Sequence, residues 1–139
     1  MAQLIDSSVF IALERRRQSL GRLAEVVPDE PVALASITAS ELLAGVYRAD
    51  TQERRLRRQA FVEAILEVIA VIPFDLRVAR IHAQIWSQVL ASGQTIGAHD
   101  LLIAATALAH GYAVLTDNAR EFHRVTSLEV RQPDWQNSH

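Results

Sequence analysis

"AHDLLIAATALAHGYAVLTDNAREF", residues 98–122, changes character twice within one stretch. Its first half is an apolar, alanine-rich segment that reads as a helix over 98–110, stopped by Gly111. "YAVLT" at 112–116 then reads as a short strand, and a second, shorter helix is expected at 119–123. A short apolar strand set between helices is the mark of a parallel sheet covered on both faces. The same punctuation recurs upstream. Residues 2–5 read as a strand followed by a helix from Ser8 to Arg17, and "VALAS" at 32–36 is followed by the helical "ITASELLAGVYRA". "AVIPF" at 70–74 is a strand ended by Pro73, and Asp75 begins a helix at 76–92. A helical turn or two covers 19–26, ended by Pro28 and Pro31, and 52–69 reads as a long helix, basic early and apolar late. Gly93 and Gly97 frame a loop, and "LEVRQ" near the end is a last strand. The expectation is a three-layer α/β/α sandwich with a central parallel sheet of four to five strands. With no repeat, low-complexity run or linker, residues 1–139 form a single domain.

Composition narrows the function classes. Of 139 residues, 50% are hydrophobic and 22% charged, ordinary for a folded soluble protein. No apolar stretch reaches the roughly 18 residues that cross a bilayer, so no membrane is expected. No basic-then-apolar leader opens the chain, and the absence of cysteine excludes disulfides and thiolate metal sites, which fits the cytoplasm. The net charge of −2 does not announce a nucleic-acid binder, yet all fourteen basic residues are arginine. They cluster at Arg15, Arg16, Arg17 and Arg22, then at Arg48, Arg54, Arg55, Arg57 and Arg58. Such clusters read either as solvated helix faces or as a local phosphate-binding patch, because phosphate contacts depend on local charge.

Four carboxylates stand where a parallel sheet places its chemistry. In such sheets the site lies beyond the carboxyl ends of the strands, near a switch in strand order. Asp6 follows the first strand in "LIDSSVF", and Asp117 follows the fourth in "VLTDNAREF". Asp100 and Glu41 fall in first turns of helices. Each has a local explanation too. Asp6 and Asp117 suit helix caps, Thr38 and Glu41 in "TASE" form the pattern of a capping box, and Asp100 suits the helix dipole. Four acids brought to one edge would repel one another unless a cation held them ionised. Without cysteine, oxygen ligands point to a hard ion, Mg²⁺ or Mn²⁺. Asp75 needs no explanation beyond capping, and His99 reads as an exposed residue at a helix start rather than a base.

"LIDSSVFIAL", "SITASELLAGV", "IGAHDLLIAATALAHGYAVLTDNAREFHRV" and "LEVRQPDW" together resemble a PIN-domain ribonuclease, more narrowly the VapC toxin of a bacterial toxin–antitoxin pair. The resemblance runs from the first strand to Trp135. It implies an α/β/α sandwich and a Mg²⁺-dependent endoribonuclease that inhibits translation and growth until its antitoxin neutralises it. The family's first Asp matches Asp6, with Ser7 and Ser8 beside it. Its helix Glu matches Glu41, and its Asp before "LIAA" matches Asp100. The family's last acid or Asn aligns with Asn118, beyond Thr116, whereas the local acid here is Asp117. On that resemblance Asp6 and Asp100 are the direct metal ligands, while Glu41 and Asp117 hold a second ion or orient the attacking water. The resemblance further implies a homodimer, a VapB-type antitoxin assembled with it as a hetero-oligomer, and an RNA substrate. The helix 52–69 and its neighbour are the candidates for the apolar groove and dimer contacts. A PIN-like binding module with weakened or absent nuclease activity is the alternative. A phosphotransfer protein on a similar sheet fits poorly, because Ser8 stands where a phosphatase wants a second Asp and there is no lysine.

Overall fold

The computed structural model describes residues 1–27 and 29–136. Among these, strand β1 (Gln3–Ile5) leads into helix α1 (Ser7–Arg15), then a 3₁₀ turn (Leu20–Arg22) that runs into α2 (Leu23–Val26). Strand β2 (Val32–Ala35) is followed by α3 (Ser36–Tyr47) and α4 (Gln52–Val68). Strand β3 (Ala70–Ile72) precedes α5 (Leu76–Ser92) and α6 (Ala98–His110), and β4 (Ala113–Leu115), α7 (Ala119–Phe122) and β5 (Val130–Arg131) complete the order. The expected elements are present with ends shifted by a residue or two; Pro28, expected to close the helical turns at 19–26, lies outside the described residues.

The strands form one sheet in the order β3-β2-β1-β4-β5, with every pair parallel. The chain therefore winds outward from β1 to β3, then crosses to the other side of β1 for β4 and β5. That reversal puts the topological switch between the carboxyl ends of β1 and β4.

Alternate residues of each strand serve opposite layers. Leu4, Ala33, Ala35 and Val114 face a core built with Val78, Ile85, Ile103 and Phe122 of α5, α6 and α7. Ile5, Leu34 and Leu115 face Phe10, Leu13, Leu42, Val62 and Ile65 of α1, α3 and α4. The first layer is made of small side chains: Ala104, Ala105, Ala107 and Ala109 of α6 are buried, so α6 lies close against the sheet. Close approach makes its placement rigid, because a packed interior leaves little room to shift.

Helix ends follow the local chemistry. Gly93 and Gly111 close α5 and α6 with φ of 74° and 69°, a left-handed conformation that glycine adopts without steric cost. Asp75 caps α5, its carboxylate accepting from the Val78 amide at 3.0 Å. The capping box at Thr38 and Glu41 does not form. Helix α3 starts at Ser36, whose hydroxyl donates to the Ile72 carbonyl at 3.0 Å, tying the helix start to β3. Thr38 therefore lies inside the helix, fully buried, and Glu41 is released for another role.

Candidate active site

Asp6 occupies the N-cap position of α1 with extended backbone angles, but its side chain makes no capping bond. The carboxylate is almost wholly buried, 4% exposed, and accepts from the Thr116 hydroxyl at 2.9 Å. Thr116 has one hydroxyl hydrogen, and with that hydrogen on Asp6 the 3.2 Å contact between Ser8 and Thr116 runs from Ser8 as donor. Ser8 in turn accepts from the Asp117 amide at 2.9 Å, and Thr116 from the Asn118 amide at 2.9 Å. A chain of hydrogen bonds thus crosses the switch point from the β4 end to the β1 end, every hydroxyl aimed toward the Asp6 carboxylate. Such chains strengthen one another in a low-dielectric setting.

Glu41 projects from α3 to the same edge. Its Oε1 accepts from the Ser7 hydroxyl at 3.3 Å, and its Oε2 lies 3.3 Å from His99 Nδ1 at the start of α6. The His99 side chain is 56% exposed, so the expectation of an exposed residue holds, with an added contact to the site. Asp100 sits in the first turn of α6. Burial, the Asp6 charge, a hydrogen bond with Glu121, and the charges of Glu121 and Glu41 together push its pKa up to about 7. The rigid packing of α6 keeps Asp100 among charges that it would otherwise avoid.

The structure therefore brings Asp6, Glu41 and Asp100 together, supported by Ser7, Ser8 and Thr116. It gives Asp117 a different partner: its exposed carboxylate accepts from the Trp135 indole N–H at 2.8 Å. The guanidinium of Arg16 lies 4.4 Å from the centre of the same ring, and Arg22 donates to the Trp135 carbonyl at 3.0 Å. Asn118 is exposed at the start of α7 and places no side-chain cap there. The residue that joins the cluster is Glu121, in the first turn of α7. Sequence reasoning passed over it, although it repeats the placement of Asp100 in the first turn of a helix; Glu41, expected in a first turn, lies in the second turn of α3 because that helix begins at Ser36.

Whether these residues suit a divalent ion can be judged from the donors. All are hard carboxylate oxygens, and burial together with the neighbouring negative charge raises the pKa of Asp100, a demand that a cation would relieve. Among the described residues no three acids or imidazoles are gathered tightly enough to chelate an ion by themselves. Mg²⁺ does not require that, since it is commonly held by one or two carboxylates and retains several waters. The set fits Mg²⁺ or Mn²⁺, with Asp6 and Asp100 as the carboxylates that converge.

Comparison with known proteins agrees with this geometry. Residues 4–128 match the family model described as the PIN domain. Ribonuclease VapC1 of Rickettsia felis is 36% identical over 130 residues, which is 94% of this chain and 95% of that protein. The VapBC-5 toxin–antitoxin structure from Mycobacterium tuberculosis contains a chain 30% identical with a TM-score of 0.75, covering 94% of this chain and 96% of that one. FitAB bound to a DNA fragment contains a chain 28% identical with a TM-score of 0.80, covering 100% of this chain and 99% of that one. Sheet order, acid edge and whole-length similarity lead to one conclusion: the chain belongs to the PIN-domain family, in its VapC ribonuclease branch.

Proposed function

We propose that this chain is a metal-dependent endoribonuclease, the toxin of a VapBC-type pair that cleaves RNA in the cytoplasm and so inhibits translation and growth. The observation that carries the reading is the convergence of Asp6, Glu41, Asp100 and Glu121 at the switch point, where burial and the neighbouring acids push Asp100 up to about 7. Asp6 and Asp100 would hold Mg²⁺ or Mn²⁺, which when bound lowers the pKa of a coordinated water and offsets charge on the phosphoryl oxygens. Thr116 and Ser8 fix the Asp6 carboxylate in one orientation. Glu41, steadied by Ser7 and His99, is placed to orient the attacking water and take its proton. Glu121 supplies the remaining acid beside Asp100, and Asp117 contributes through its amide, which holds Ser8, rather than through its carboxylate.

The partners follow from the relatives. The VapBC-5 structure named above is of a toxin–antitoxin system, which supports a VapB-type antitoxin for this chain. Exposed Phe74, Leu76, Trp86 and Leu90 on and beside α5 support a homodimer. The expected helix 52–69, which is α4, exposes Leu56 and Val68. Among the described residues no helix is long and apolar enough to cross a membrane.

The test is cleavage of single-stranded and structured RNA by the purified chain with Mg²⁺ or Mn²⁺. Cleavage should vanish with EDTA and in Asp6→Asn, and matched DNA should survive. A second reading, a PIN-like binding module with weakened or absent nuclease activity, draws on the lack of a ready-made three-ligand cluster among the described residues. It would be favoured by intact antitoxin binding with no cleavage under either metal.

A further inference from the structure

A channel begins at Glu41 and leads away from the acids between α1 and α4. Its near part is a cavity of about 300 Å³ whose walls include Glu41, Leu42, Arg15 and Arg48. Its far part is a cavity of about 400 Å³ whose walls include Arg17, Arg54 and Arg57. Glu14, Arg58 and Phe61 line both, so the two cavities adjoin and together form a trench.

The arginines along it are of two kinds. Arg58 is a strut: its Nε donates to the Glu14 carboxylate at 3.2 Å and its Nη1 to the Gly45 carbonyl at 2.9 Å, joining α4 to α1 and α3. Arg54 is committed to Asp50, with both carboxylate oxygens at 2.9 Å. Arg15, Arg17, Arg48 and Arg57 are exposed, and among the described residues their guanidinium groups have no carboxylate or carbonyl partner. Arg17 adds a second sign of purpose. It follows the end of α1 with φ of 53°, the left-handed conformation for which α5 and α6 use glycine. A side chain is strained there, and the chain nonetheless places an arginine in the lining of the far cavity.

We infer that this trench is the track for a single RNA strand, with Arg15, Arg48, Arg57 and Arg17 taking successive phosphates as the strand leaves the acids. The inference rests on the ribonuclease reading and extends it by naming the substrate's path. The scissile phosphate beside an ion held by Asp6 and Asp100 has its neighbours on the same backbone, and the trench is a basic surface that begins at Glu41, at the edge of that site. Unpaired guanidinium forks match phosphate oxygens two at a time. Phe61, half-buried in the shared wall, presents a ring on which a base can stack. The net charge of −2 is no obstacle, because the attraction is local.

The experiment measures binding of a short fluorescent single-stranded RNA by anisotropy across a salt series, on the Asp6→Asn background so that the probe survives. Arg15→Ala, Arg48→Ala and Arg57→Ala should each weaken binding several-fold and reduce the slope of log K against log salt by ~0.7, one phosphate contact apiece. Arg77→Ala and Arg80→Ala, on α5, should change neither. Thermal melting of each variant should match the parent, since none of the three trench arginines has a partner to lose. Unchanged RNA affinity and slope in the three trench variants would overturn the track. So would unchanged RNA binding with weakened binding of an acidic peptide, which would make the trench a peptide groove. Metal-dependent cleavage by the unaltered chain is scored separately: its absence defeats the ribonuclease reading. Cleavage that persists with unchanged KM in the trench variants defeats only the track.

Discussion

Asp6 and Asp75 occupy the same place at two junctions where a strand or its exit loop enters a helix. Both stand at the N-cap position with extended backbone, φ −76° and ψ 151° for Asp6, φ −99° and ψ −174° for Asp75. Asp75 is exposed and turns its carboxylate inward along the helix, to the Val78 amide. Asp6 is buried and turns its carboxylate away from the helix, to the hydroxyl of Thr116. The β3–α5 junction lies on an edge strand, where the hydroxyl that β2 brings, Ser36, is spent on the Ile72 carbonyl, three residues short of Asp75. The β1–α1 junction lies at the centre of the sheet beside β4, whose next residue is Thr116. The same residue in the same local conformation is a cap in one place and a site group in the other, and the neighbouring strand decides which.

The largest effect that separates the two junctions is on activity. Asp6→Asn should reduce metal-dependent RNA cleavage by about a hundredfold or more, while urea unfolding changes little because the side chain caps nothing. If the variant instead retained cleavage and lost stability, Asp6 would be a cap after all. Thr116→Val, which keeps the shape and removes the hydroxyl, should destabilise the metal-free chain by about 1–3 kcal/mol, because a buried carboxylate loses its donor. Full stability of that variant would mean that the chain of hydroxyls across the switch point carries no weight.

A pH titration sharpens the comparison further. The folded pKa of Asp100 is raised to about 7, above the unfolded value of about 3.9. Its contribution to stability is therefore fully present below pH ~4 and is lost as the pH rises through about 7, with no further change above. Because Asp100 is only partly buried and water screens it, the loss should be about 1–2 kcal/mol. The measurement is urea unfolding of the metal-free protein across that range, with Asp100→Asn as reference. Parallel curves for the two proteins would show that the acids do not repel. The smallest effect belongs to the other junction: Asp75→Ala should cost about 1 kcal/mol by thermal melting and leave cleavage unchanged, whereas Asp75→Asn should restore most of the stability.

Much of the fold was legible because alternation of apolar strands and amphipathic helices is a one-dimensional signal. Ile5 and Leu115 had to be buried strand residues, and Gly93 and Gly111 had to end helices, on local grounds alone. The strand order is different in kind, since nothing near β3 or β4 in the chain states which flank of β1 each will take. Asp6 and Asp100 were legible through their places after a strand and in a first turn, while Glu41 was read as a first-turn residue and lies one turn further into α3. Glu121 was hidden in a four-residue helix, where a carboxylate has an ordinary reason to be. The capping-box pattern at Thr38 and Glu41 misled because it is defined by spacing, whereas the start of α3 was fixed by the bond from Ser36 to the distant Ile72 carbonyl.

The amino-acid sequence by itself determined the layers, the helix boundaries set by glycine and by Asp75, and the presence of enough acid for a hard cation. Only the tertiary structure decided which acids meet. The partner of Asp6 lies 110 residues away, and Trp135, which engages Asp117, lies 18 residues beyond it. Local propensity sets the conformation of a residue within a few neighbours, while the direction of its side chain is settled by whichever donor the packed strands bring within about 3 Å. At the centre of this sheet that donor comes from β4, and it turns a residue with every local reason to cap a helix toward the cleft instead.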